Sequence, residues 1–108
     1  MLEIIRALKE SRVFKISPSE KRFEERLVAA VEDYRFSLLQ LLERIACDTD
    51  RRDISTVVSL LDNFLDTREL PYLLLALELA CEYGIWIHSG LSFLIEELWK
   101  KVKRELED

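Results

Sequence analysis

Two glycines, two prolines and a single histidine are all that 108 residues hold of those types. With so few breakers the chain has little room for tight turns, and no glycine-rich loop exists that would cradle a phosphate, so a nucleotide-binding fold is excluded. Of the side chains that age fastest in heat, asparagine, glutamine and methionine occur once each, as Asn63, Gln40 and Met1. That scarcity, beside 34% charged residues, points to a thermophilic source. Long apolar runs are missing as well. The longest, Leu70 to Leu77, is eight residues, against the roughly 20 that a membrane-spanning helix needs. The N-terminal MLEIIRALKE carries charges at Glu3, Arg6, Lys9 and Glu10, which breaks the apolar stretch a signal peptide requires, so the expected location is the cytoplasm, with no membrane.

What is present is a chain 49% hydrophobic, enough for one core and one helical domain over residues 1–108. The net charge of −5 is unevenly spread. Arg6 to Arg26 holds seven basic residues against four acidic ones, and residues 48 to 97 hold three against ten. Overall acidity argues against non-specific nucleic-acid binding, while the basic N-terminal third leaves a local patch open.

Apolar spacing is helical nearly throughout. Leu2, Ile5 and Leu8 give a short first helix ending before Ser17; RVFKI, residues 12–16, either continues it or runs extended. SPSE then reads as a capping box, with Ser17 as cap, Pro18 in the first turn and Glu20 reaching back. A long helix, 18–47, follows, with Leu27, Val31, Tyr34, Leu38, Leu41 and Ile45 on one stripe and Phe36, Leu39, Leu42 and Ala46 on a second. Asp50 or Asp53 caps a third helix from Ile54 to about Asp66, and Thr67 caps a fourth that ends at Gly84 in a left-handed turn. Glu78 and Glu82 are the only charges on the apolar fourth helix, which should therefore lie centrally. Ser89 caps a fifth helix from Leu91 to about Leu106. Short connections make consecutive helices antiparallel neighbours, so the fold class is all-α: a compact antiparallel bundle of about five helices. The hairpin 54–83 resembles, in helix length and spacing only, the units of tetratricopeptide-like and HEAT-like arrays; an open array is the alternative. The small residues that let paired helices approach closely in such a unit are missing from 54–66, and there is no second copy.

Residues able to carry chemistry are few. His88 lacks an orienting partner and metal co-ligands at fitting spacing, so it reads as structural. Asp48, Asp50 and Asp53 resemble a calcium loop at first, but the turn glycine and distal glutamate are missing and Arg51 and Arg52 fill the interior, giving a salt-bridged corner instead. Glu78 and Glu82, one turn apart, mark the fourth helix's solvent strip, with Glu96 and Glu97 on the next helix within possible reach. Cys47 and Cys81 fall at one pole of the bundle, where a disulfide is allowed geometrically, although two buried free thiols are the favoured state. No metal, no cofactor and no catalysis are expected.

Apolar demand exceeds what one small core absorbs, and tryptophan is enriched where proteins meet. The expected function is a non-catalytic interaction module or small subunit, associating with itself or another protein. Its surface would be Trp86, Ile87 and Trp99, with Phe36 and Leu39 second. The alternative is nucleic-acid binding through Lys15, Lys21, Arg22 and Arg26. KRFEER interleaves opposite charges at helical spacing, which favours intrahelical pairs over phosphate contacts.

Overall fold

The computed structural model describes residues 1–107 as five helices and no strand: α1 (Leu2–Glu10), α2 (Lys21–Leu42), α3 (Asp48–Thr67), α4 (Leu70–Glu82) and α5 (Ser89–Glu107). The helices close into a ring of neighbours. α2 packs on α3, α3 on α4, α4 on α1, α1 on α5, and α5 on α2. The radius of gyration of 13.9 Å lies close to the ~13 Å of a compact domain of this length, so the bundle is closed rather than an open array. One contiguous core runs through it, from Ile5 and Leu8 of α1 through Leu27 and Tyr34 of α2 to Leu91 and Ile95 of α5.

The ring corrects one expectation about neighbours. α4 and α5 are consecutive and joined by a short connection, yet α1 lies between them. The reason is in α4 itself: with Leu73, Leu74, Ala76, Leu77 and Ala80 all buried, it needs cover on two flanks, and α1 supplies the second with Ile5 and Leu8.

Helix limits differ from the apolar pattern at several ends. The long helix spans Lys21–Leu42 rather than 18–47 and is entered through a single 3-10 turn at Pro18–Glu20. Ser17 accepts from the Ser19 amide at 3.4 Å. Glu20 does not complete a capping box, because its carboxylate accepts from Lys101 of α5 at 3.0 Å. At the other end the Arg51 guanidinium donates to the carbonyls of Leu42 and Ile45, the latter at 3.0 Å. These are carbonyls that a helix end leaves without partners, so the basic residue of the CDTDRRD corner closes α2 instead of pairing with an aspartate. α3 begins at Asp48, six residues earlier than Ile54, with Cys47 at its N-cap and Asp48 and Asp50 in the first turn beside the positive end of its dipole. The hairpin is thus 48–82 rather than 54–83.

Thr67 belongs to α3, donating to the Asn63 carbonyl at 2.8 Å while accepting from the Glu69 amide at 3.2 Å. Glu69 is the N-cap of α4. Residues 12–16 are not helical; the Phe14 carbonyl accepts from the Leu70 amide at 2.7 Å, tying the α1–α2 connection to the start of α4.

Among the described residues six ion pairs join groups on different elements. Arg6 (3.8 Å) and Lys9 (2.7 Å) of α1 converge on Glu78 of α4. Arg26 of α2 meets Glu97 of α5 at 3.6 Å, Arg35 of α2 meets Asp62 of α3, Arg68 meets Glu24 at 3.8 Å, and Lys101 meets Glu20. Of KRFEER, Glu24 and Arg26 pair outward to neighbouring elements, and no ion pair runs along the helix among the described residues. Glu78, expected on a solvent strip, has a side chain only 15% exposed, because two cations of α1 cover it.

Candidate docking site

The segment CEYGIWIHSG closes α4, crosses one end of the bundle and opens α5. Gly84 takes φ +71°; its amide donates to the Cys81 carbonyl at 3.2 Å and the Ile85 amide to the Ala80 carbonyl at 2.8 Å. This pair of bonds is the Schellman closure expected at a left-handed helix end. Beyond it the side chains alternate. Ile85 and Ile87 pack against the core while Trp86 points outward, 61% exposed.

Trp86 is held from behind. The fully buried Tyr34 donates its hydroxyl to the Trp86 carbonyl at 2.8 Å. The two rings meet edge to face with centroids 6.2 Å apart, and the imidazole of His88 lies on the indole at 5.8 Å. Burial pushes ionisation of the Tyr34 phenol well above its usual range, with a smaller push in the same direction from the Cys81 thiol, so Tyr34 stays a donor. Beside Trp86 opens a hollow of about 240 Å³, lined by Leu41, Ile45, Ile54, Tyr83 and Ile85 and edged by Asp50 and Asp53.

The residues expected at an interface, Trp86, Ile87 and Trp99 with Phe36 and Leu39 as a second surface, lie on several elements. Trp86 and Ile87 share the connection, but Trp99 sits half-buried on α5 under the Lys103 ammonium, 5.9 Å from its ring centroid. Phe36 is exposed beside Asp33, Arg35, Asp62 and Leu65 on the α2–α3 flank, and Leu39 is half-buried. Sequence reading missed Tyr83 and Leu41. Leu41 fits the inward stripe by spacing, but α2 stops one residue later, so both it and Ile45 border the hollow instead of filling the core. It also missed Phe14 and Phe93, each 62% exposed.

His88 is the N-cap of α5, a role expected of Ser89. Its carbonyl accepts from the Ser92 amide at 3.0 Å and its Nδ1 from the Gly90 amide at 3.1 Å. Cys47 is exposed and Cys81 half-buried, both as free thiols; the exposure of Cys47 departs from the expectation of two buried ones. Burial, reinforced by Glu78 and Glu82 and opposed by the N-terminal ammonium, raises the Cys81 ionisation, which keeps it a protonated thiol and a poor nucleophile. Among the described residues no group of three or more His, Cys, Asp or Glu side chains is placed to hold a metal ion, and no helix is long and apolar enough to cross a membrane.

Of the basic N-terminal residues, Arg26 is engaged by Glu97. Lys15, Lys21 and Arg22 are exposed and meet no carboxylate among the described residues. Glu97 has one carboxylate oxygen sealed from solvent without a hydrogen bond among the described residues, so its neighbour Arg26 is its main compensation.

No protein-family model matches the chain, no curated protein matches it, and no solved structure matches it.

Proposed function

We propose that this chain is a non-catalytic protein-interaction module that docks a partner, in the first instance a second copy of itself, at the Trp86 hollow. One observation carries the reading. Trp86 stands exposed on a backbone pinned by Tyr34, beside an apolar hollow lined by Leu41, Ile45, Ile54, Tyr83 and Ile85. A large aromatic presented on a rigid support loses little conformational entropy on binding and is the usual centre of an interface hot spot. The absence of catalysis is supported by the occupation of the one histidine as a helix cap and by the protonated state of Cys81. The charge-rich, amide-poor composition supports a thermophilic source within the same proposal.

The test is solution mass by light scattering for the unaltered protein and Trp86→Ser, with helical content checked by circular dichroism. Expected is a concentration-dependent dimer or larger species that Trp86→Ser converts to a folded monomer. Assembly that survives the substitution overturns the hollow as the contact, and a monomer at every concentration overturns self-association.

A second reading rests on a separate observation: Lys15, Lys21 and Arg22 are exposed, and the exposed ring of Phe14 lies between Arg12 and Lys15 in the sequence, a combination of free cations and a stacking face that single-stranded nucleic acid uses. Binding to a single-stranded oligonucleotide that weakens steeply with salt supports it; salt-independent binding removes it.

A further inference from the structure

We propose that His88 is a proton-sensitive cap that makes the Trp86 docking surface depend on pH. The inference rests on the docking reading for its consequence, but its physical basis is independent of any partner.

His88 is the only histidine of the chain. Its Nδ1 accepts the Gly90 amide at 3.1 Å, which requires that nitrogen to carry a lone pair and hence the imidazole to be neutral with its proton on Nε2. Gly90 permits the arrangement: a Cβ there would lie 3.1 Å from Cε1 and 3.2 Å from Nδ1 of the ring, closer than such atoms normally approach. Protonation converts Nδ1 from acceptor to donor, so the Gly90 amide loses its partner and two N–H groups face each other. It also places a full positive charge on the positive end of the α5 dipole. Both effects act in the same direction. The folded arrangement therefore prefers the neutral ring, and protonation removes the stability that the cap contributes.

Other ionisable groups do not cancel this. α2 contributes Tyr34, which reaches the segment through the Trp86 carbonyl. α3 contributes Asp50 and Asp53 across the hollow. α4 contributes Glu82 together with Glu78, which Arg6 and Lys9 already engage. α1 brings the Met1 ammonium close enough to act on Cys81, and α5 carries no ionisable residue until Glu96. No ion pair joins any of them to His88 among the described residues, so no carboxylate rescues the protonated ring. Because the imidazole also rests against the indole of Trp86 at 5.8 Å, loss of the cap loosens the support on one side of the docking aromatic.

The experiment compares thermal midpoints of the unaltered chain and His88→Asn from about pH 7.5 to about pH 5, across the imidazole range. Asparagine is a strong N-cap that does not titrate. Expected is a gap that opens by about 4–8 °C in favour of His88→Asn as the solution becomes acidic, the size of one lost cap in a domain of this length. A gap that stays constant over the range overturns the proposal. In the unaltered protein, the Gly90 amide resonance should move with the imidazole titration while Gly84, bonded to the Cys81 carbonyl, serves as the fixed reference; a Gly90 resonance that stays still overturns it as well. Both readouts are made on the monomer at low concentration. They can fail while docking at Trp86 stands, and assembly that ignores Trp86→Ser would remove the docking reading without touching the cap.

Discussion

Arg68 and Gly84 hold nearly the same left-handed backbone, φ +62° and +71°, at the ends of consecutive helices. They hold it for opposite reasons. At Gly84 a side chain would meet nothing within 4 Å, so only the backbone conformation calls for glycine. At Arg68 the same conformation costs about 1–2 kcal/mol for a residue with a Cβ, and it is kept because the rest of the side chain is in use. The guanidinium lies 3.8 Å from Glu24 of α2 and donates to the Leu65 carbonyl, while the amide donates to the Phe64 carbonyl at 2.7 Å. One turn is set by local geometry, the other is kept by side-chain contacts that roughly offset its strain. Only the first leaves a mark that a reader of residue types can recognise.

The comparison breaks first at its buried supports. Phe64→Ala, beneath the Arg68 turn and fully buried, should cost about 3–5 kcal/mol by cavity formation, measured by chemical denaturation; a loss below ~1 kcal/mol would mean the hairpin collapses to fill the space. Gly84→Ala follows at about 1–2 kcal/mol, all of it conformational because the site is open. An unchanged midpoint would show that the Schellman turn relaxes to another closure.

Tyr34→Phe should cost about 1 kcal/mol for the lost bond to the Trp86 carbonyl. It should also flatten alkaline denaturation. The folded state holds the phenol protonated beyond its ordinary value, so stability is full below about pH 10 and falls as pH rises past it; an alkaline limb equally steep in Tyr34→Phe would assign it to other groups. The smallest effect belongs to Arg68→Gly. Relief of the left-handed strain and loss of an exposed ion pair oppose each other and should leave a change within about 0.5 kcal/mol. A loss of ~2 kcal/mol would show that Arg68 contributes more than its geometry suggests.

The same contrast explains what was legible in the sequence. The all-helical class, the number of helices and the Gly84 closure follow from periodicity and one residue with a special φ, which are local signals. Helix ends set by distant groups were not legible. Nothing near Leu42 announces that α2 stops there; the stop depends on Arg51 turning back onto its carbonyls. Glu20 fits a capping box by spacing and is taken instead by Lys101, 81 residues away. Of the candidate site, Trp86 was recognisable as an apolar residue in an unlikely place. Tyr83 and Leu41 were not, because their exposure depends on where two helices end. The capping role of His88 was hidden by Ser89, a better cap by type that falls one position too late.

The ring closed by α1 has a consequence for the order in which the molecule can be made. α1 packs on α4 and α5 but not on α2 or α3, so during synthesis it has no partner in the bundle until α4 has been made. Ile5 and Leu8, sealed in the finished bundle, must wait in the open through that interval. An isolated nine-residue helix is marginal in water, so α1 is expected to stay largely unstructured meanwhile. The hairpin of α3 and α4, joined through Arg68 and Glu69, can form as soon as it emerges. α1 can dock only once α4 is available, a stave whose closure rests on contacts long in range and therefore slower to form than the α3–α4 hairpin.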